Sequence, residues 1–382
     1  MLRFLTAGES HGPALVVVVE GLPAGLPILV EDVAAELARR RLGYGRGPRM
    51  RFEQDEVELL GGVRHGRTIG APVAIVVHNT EWTRGDTWHA EMSSAPLHRP
   101  RPGHADLAGM QKYGFDDARD VLERASARET AARVAAGTLA KALLGHVGTR
   151  VVSHVVELGG VASPSECRPG PDDLDAVDAS EVRCLDPAAA AGMVAAIERA
   201  AAAGDSLGGV VEVLGHGVPP GLGSHVHWDR RIDGMLAQAL MSIQAMKAVE
   251  IGEGRRVATE RGSDAHDAIA WDAERAEYVR ESDRAGGIEG GMTTGALLVA
   301  RAAMKPLATL NRPVLGTVDV ETKESTVSFK ERTDVTAVPA AGVVAETMVS
   351  LVLADEALRK FGGDSLVEVV RNHDAYRASL RG

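Results

Sequence analysis

Cysteine is nearly absent from this chain of 382 residues. The two present, Cys167 and Cys184, lie in a stretch rich in Pro and Asp and lack metal-ligand spacing. That argues against a disulfide scaffold or a zinc ribbon and leaves two inert thiols as the expectation. Lysine is also scarce, at seven of 42 basic residues, so arginine carries nearly all the positive charge. No basic stretch followed by an apolar core opens the chain, and no apolar run reaches about 18 residues. The expectation is a soluble, cytoplasmic protein with no membrane partner. The net charge of −11 argues equally against nucleic acid. Walker, serine-elbow and zinc motifs are missing. The glycine-rich GGIEGG (286–291) opens no evident helix after a strand, which excludes a Rossmann reading.

Hydrophobic residues make up 45% of the chain, enough for a large core. Against the acidic background, six arginines fall between positions 39 and 51: Arg39, Arg40, Arg41, Arg46, Arg49 and Arg51. Arginine presents a rigid fork of donors suited to phosphate and carboxylate. Arg39 to Arg41 also fit a helix C-terminus, where cations complement the dipole. Arg46, Arg49 and Arg51 stand in a Gly-rich turn, where the dipole does not explain them.

A diverged repeat organises the chain. GESHGPALVVVVEGLPAGL (8–26) aligns without gaps on GDSLGGVVEVLGHGVPPGL (204–222), and GGVRHGRTIGA (61–71) on GGIEGGMTTGA (286–296). The shared glycines imply shared turns, although Gly-rich segments also match by chance. Each block runs into a short β-branched stretch at 15–19, 73–77, 210–213 or 297–299. Helical stretches are expected near 31–41, 116–144, 229–248 and 340–359. Residues 163–187 read as an exposed insert and 253–284 as a charged, loop-like excursion. The expected class is α+β: one domain over 1–382 with pseudo-twofold halves at about 1–150 and 200–360, helices packing on antiparallel sheets.

The repeat is informative where it fails, because His11 corresponds to Leu207. A duplicated scaffold needs its glycines twice, whereas asymmetric chemistry needs each reactive group once. His11 is therefore either a reactive group or a satisfied structural histidine. In RPRPGHADL (99–107), Pro100, Pro102 and Gly103 make a rigid turn that sets His104 on a loop before a helix. Arg124 and Arg128 are four apart and so share a helix face, facing either a ligand or Asp120 and Glu123. KPLAT (305–309) offers Lys305, Thr309 and backbone N–H groups to a phosphate. Arg332 and Asp334 precede Pro339 as turn charges, solvated or functional. The residues alone give an Arg-lined site for a polyanion, two candidate histidines and a phosphate cradle.

Taken together, GESHG (8–12), GYGRGPRM (43–50), RPGHADL (101–107), YGFDDARDVLERASARETAARVAAG (113–137), GDSLGG (204–209), RAGGIEGGMTTG (284–295), MKPLATL (304–310), RTDVTAVPAAGVV (332–344) and FGGDSL (361–366) resemble the chorismate synthase family over nearly the whole chain. The resemblance implies 1,4-anti-elimination of phosphate from 5-enolpyruvylshikimate 3-phosphate. It requires reduced FMN without net redox change, with NADPH a possible reductant. By motif, His11 would protonate the departing phosphate and His104 would protonate or stabilise the reduced flavin. Asp334 would assist proton removal through the flavin's central ring. Flavin contacts would come from Arg124, Ala125, Ser126, Gln244, Ala245, Gly290, Lys305, Pro306, Leu307, Ala308, Thr309 and Arg332. Arg49 would bind substrate, and Arg40 and Arg46 substrate or NADPH. The implied fold is a sandwich of long helices between two four-stranded antiparallel sheets, assembled as a homotetramer. An NADPH:flavin oxidoreductase is the alternative.

Overall fold

The computed structural model describes residues 1–46, 55–83, 96–312, 314–328 and 333–381. Valine-rich strands form the first sheet: β1 (Arg3–Gly8), β2 (Ala14–Glu20), β3 (Val57–Gly61) and β4 (Val73–His78), ordered β1-β2-β4-β3 and antiparallel throughout. Side chains alternate between faces, so Leu15, Val17, Val19, Val73, Ile75 and Val77 point inward and are fully buried. The second sheet holds β5 (Arg150–Leu158), β6 (Val161–Ala162), β7 (Gly209–His216), β8 (Met246–Ile251) and β9 (Leu298–Met304), ordered β8-β9-β7-β5-β6 and also antiparallel. It has five strands where four were expected. The addition is β6, turned back from β5 by Gly159 and Gly160, whose φ angles of +59° and +80° suit a two-residue hairpin loop.

Aligned segments occupy aligned places. The 15–19 and 73–77 runs pair as β2 and β4, and the 210–213 and 297–299 runs pair as β7 and β9. Thr68 and Thr293, matched in the repeat, make the same bonds. Each hydroxyl donates to a proline carbonyl, Pro23 at 2.6 Å and Pro219 at 2.7 Å. Each also accepts a leucine N–H, from Leu26 and Leu222, both at 2.9 Å.

Two helices fill the space between the sheets. α4 (Thr130–His146) lies on β2 and β4, α7 (Val338–Phe361) lies on β5 and β7, and the two pack on each other. α7 is apolar on all sides because it is buried on all sides. Gly137 sets the helix contact, since a Cβ there would overlap Thr347 Cγ2. α1 (Val30–Arg40) closes one flank with acids in its first turn and arginines in its last.

Four expectations need correction. The 116–144 stretch is not one helix. α2 (Asp106–Tyr113) and α3 (Ala118–Ala125) precede a break at Ser126, whose backbone is extended and whose hydroxyl caps a 3-10 turn, Ala127–Glu129, before α4. Arg124 and Arg128 therefore do not share a helix face. The 229–248 stretch is helical only as α6 (Ile232–Met241), and β8 follows. The 163–187 insert, which leads into α5 (Pro187–Ala203), is exposed only in part: Val177, Val182, Arg183 and Cys184 are buried. Residues 253–284 contain a hairpin, Ile269–Asp272 with Glu277–Arg280, rather than loop alone.

Arg183 and Arg39 both enter the core. Glu346, on α7 and 1% exposed, accepts from Arg39 Nη1 at 2.8 Å and Nη2 at 3.2 Å, from Ser153 Oγ at 2.8 Å and from Lys141 Nζ. Arg183 Nη2 stands 3.8 Å away, and Glu36 and Asp178 complete the network. Arg39 thus serves the core, neither a solvated helix end nor a ligand.

Candidate active site

His11 sits on the β1–β2 connection. Gly8, with φ +96°, closes that turn, since a Cβ would overlap the Ala14 carbonyl. Asn79 Nδ2 donates to the Gly12 carbonyl at 2.6 Å and its Oδ1 accepts from Arg128 Nε at 2.9 Å. Arg128 is buried and ion-paired with Asp55. One carboxylate then holds His11 twice: Glu123 Oε2 accepts its backbone N–H at 2.8 Å, and Oε1 faces Nδ1 at 2.9 Å. Burial opposes ionisation of Glu123, but the bonds from His11 keep its carboxyl below the ordinary value. Ser10 Oγ bonds Ser126 Oγ at 2.9 Å.

His104 shows the same pairing. The turn at Gly103, φ +78°, delivers it just before α2, as expected from the prolines. Its Nδ1 meets Asp106 Oδ1. Asp106 is fully buried and also accepts from Arg101 N at 3.0 Å, Nε at 2.8 Å and Nη2 at 3.1 Å. Burial alone would raise its pKa, yet the His104 and Arg101 bonds hold it well below the carboxylate range.

The KPLAT segment joins these elements. Lys305 Nζ donates to the Gly103 carbonyl, and Arg101 Nη1 to Thr309 Oγ1 at 3.3 Å. Lys305 N–H donates to the Ala245 carbonyl at 3.0 Å, and Ser206 Oγ to the Leu307 carbonyl at 2.8 Å. Leu307 packs on the core, and Ala308 lies near Gly103. Pro306 is exposed. Gln244 Nε2 donates to Glu129 Oε2 at 3.3 Å, while its Oε1 is buried without a partner among the described residues. Ala245 has φ +66°, a left-handed conformation that strains a residue bearing Cβ. Arg124, on α3 just before Ala125, donates to Thr6 Oγ1 at 2.9 Å and to the Gly8 carbonyl at 3.0 Å. Asp334 pairs with Arg46 Nε at 3.2 Å, beside a backbone link from Val335 N–H to the Gly45 carbonyl at 2.8 Å.

Arg40 is buried, with Nε on Thr130 Oγ1 at 3.0 Å and Nη2 on the Ala127 carbonyl at 3.1 Å. Gly290 lies at the tip of a hairpin that bonds the 221–223 turn, and its described contacts do not run to the KPLAT segment. Arg49 and Arg332 lie outside the described residues. Sequence reasoning did not single out Asn79 or Asp55, and gave Asp106 no role. It weighed Glu123 only as an arginine partner. The short His-x-Asp spacing at 104–106 was the one available signal.

Two imidazoles, each held by an ionised carboxylate, with lysine, arginine and hydroxyl groups around the His104 turn, are an arrangement that can carry acid–base chemistry on an anionic small molecule. The chorismate synthase family profile matches residues 2–358. A chorismate synthase from Frankia casuarinae is 61% identical, covering 100% of this chain and 99% of its own. The one from Salinispora tropica is 60% identical with the same coverage. A crystal structure of chorismate synthase superposes with a TM-score of 0.81 at 40% identity, covering 100% of this chain and 98% of that one. The chain belongs to the chorismate synthase family, and is a lyase of aromatic amino acid biosynthesis.

Proposed function

We propose that this enzyme eliminates phosphate from 5-enolpyruvylshikimate 3-phosphate by 1,4-anti-elimination, giving chorismate, with reduced FMN bound at the KPLAT segment. One observation carries the reading. The 101–106, 244–245 and 305–309 segments, distant in sequence, join through the hydrogen bonds above. Residues 334–335 join them through Leu207 N–H, which donates to the Val335 carbonyl at 2.8 Å beside the Ser206–Leu307 bond. The strand leading into 8–12 reaches Gln244 through Glu129, which accepts from Thr6 Oγ1 at 2.8 Å. The residues fit a flavin. Lys305, Arg124, Ser126 and Thr309 suit its phosphate and ribityl chain, and the orphaned Gln244 Oε1 awaits an N–H such as that of the ring's uracil edge. When bound, reduced flavin supplies electron density to the allylic system and recovers it. His11 gives its proton to the leaving phosphate. His104, oriented by Asp106, places a proton donor beside the flavin. Asp334 takes part in removing the ring proton, with Arg46 holding it in place. Each acid–base group contributes on the order of 10²–10⁴-fold.

The substrate's phosphate and two carboxylates call for several guanidinium groups. Arg40, Arg46 and Arg49 serve this polyanion or NADPH as reductant, while Arg332 joins the flavin contacts and Gly290 meets a part of the flavin away from the KPLAT segment. The matched strand orders and threonine bonds support an internal duplication within one domain, a helix layer between the two sheets. Homotetramer assembly is supported by the outer face of the first sheet, where Leu5 is 74% and Leu60 59% exposed. We assign the enzyme to the cytoplasm, without nucleic acid or membrane partners. The test is anaerobic phosphate release from the enolpyruvyl substrate with and without dithionite-reduced FMN. Release only with reduced FMN is expected. Equal release without it would sink the flavin assignment.

A further inference from the structure

We propose that Glu123 is a positioning residue that fixes the His11 ring proton on Nδ1, so that Nε2 is the nitrogen serving the departing phosphate. The inference rests on His11 being the acid, and it concerns how that acid is prepared. The Glu123 carboxylate spans the backbone N–H and the ring Nδ1 of the same residue, at 2.8 and 2.9 Å. Ser10 N–H donates to the Glu123 backbone carbonyl at 3.0 Å, so the loop and the end of α3 are bound at three points. A ring flip about χ2 would lose the carboxylate contact while the backbone stayed in place.

An ionised carboxylate only accepts hydrogen bonds, and the His11 contacts keep Glu123 ionised. Nδ1 must therefore be the donor. In the acid form both nitrogens carry protons. As the C–O bond to phosphate breaks, the Nε2–H bond breaks and an O–H bond forms on phosphate. The ring is left neutral with its proton on Nδ1, the tautomer that Glu123 stabilises. Glu123 thus selects which nitrogen gives up its proton and which neutral tautomer is left, without itself gaining a proton, as an orienting carboxylate does for imidazole in hydrolytic triads.

Glu123→Gln separates this from simple anchoring. The amide oxygen keeps the backbone N–H bond, while the amide NH₂ faces Nδ1 and donates, shifting the ring proton to Nε2. Histidine ¹⁵N NMR, assigned by difference from His11→Gln, is expected to show His11 with Nδ1 protonated in the parent. The Nε2–H tautomer should grow in Glu123→Gln. Turnover with pre-reduced flavin should fall about 10²–10⁴-fold with KM little changed, and Glu123→Asp should restore part of it. An unchanged tautomer with near-parental turnover in Glu123→Gln overturns the proposal. Should that variant fail to fold, a neutral His11 bare at Nδ1 in the parent spectrum overturns it equally. Near-parental turnover in His11→Ala would instead remove the acid role from His11, while the tautomer shift still judges Glu123.

Discussion

Replacing Glu346 with Gln keeps the shape of the core and removes one charge from it. The carboxylate answers Arg39, Lys141 and Arg183, while Glu36 and Asp178 remain. The variant converts a balanced cluster into one with a surplus cation, in a place that is 1% exposed. Removing one partner of a buried pair costs about 3–5 kcal/mol. An unfolding entropy of roughly 2.1 cal/mol/K per residue over 382 residues gives about 0.8 kcal/mol/K, so Tm should fall by about 4–6 °C. Scanning calorimetry at pH 7 measures it.

The pH dependence is a second readout. Burial opposes ionisation of Glu346, but Lys141, Arg39 and Arg183 prevail, so its folded pKa lies well below that of the unfolded chain. Between the two the unfolded chain binds more protons, and stability rises with pH. The contribution is full above the ordinary Glu value of about 4.3 and is lost as pH falls below it. The gap between parent and variant should therefore close in acid. An unchanged Tm at pH 7, or a gap constant down to low pH, refutes the reasoning.

Gly137→Ala should cost about 1–3 kcal/mol despite the better helix propensity of alanine, because the methyl overlaps Thr347. Thr347→Ala in the same chain should recover part of that loss in urea unfolding, and a neutral single variant would show that the helices yield. Gln244→Ala should weaken binding of reduced FMN by about tenfold, the worth of one buried hydrogen bond, by anaerobic fluorescence titration. Unaltered affinity would place the flavin elsewhere.

The repeat made much of the scaffold legible, because glycines and prolines mark turns wherever they occur. It located the paired strands and, at Thr68 and Thr293, even matched bonds. Local rules failed where contacts are remote. Alanine-rich periodicity across 116–144 hides the break at Ser126, which a cap and a bond to Ser10 decide. The polar insert conceals Arg183 because its partners Ser153 and Glu346 lie 30 and 163 residues away. His11 and His104 were visible as unduplicated or turn-borne groups. Glu123 was not, since its partner is 112 residues distant and a glutamate in a helix has many uses.

The first and last parts of the chain meet at α7. Leu2 N–H donates to Asp355 on that helix at 2.6 Å, and α7 separates the layer bearing His11 from the second sheet. During synthesis the amino-terminal sheet waits with its alanine-lined helix uncovered until more than 350 residues have been made. A ribosome-bound fragment ending before Val338 has both histidines but lacks the helix that joins α4 to the second sheet.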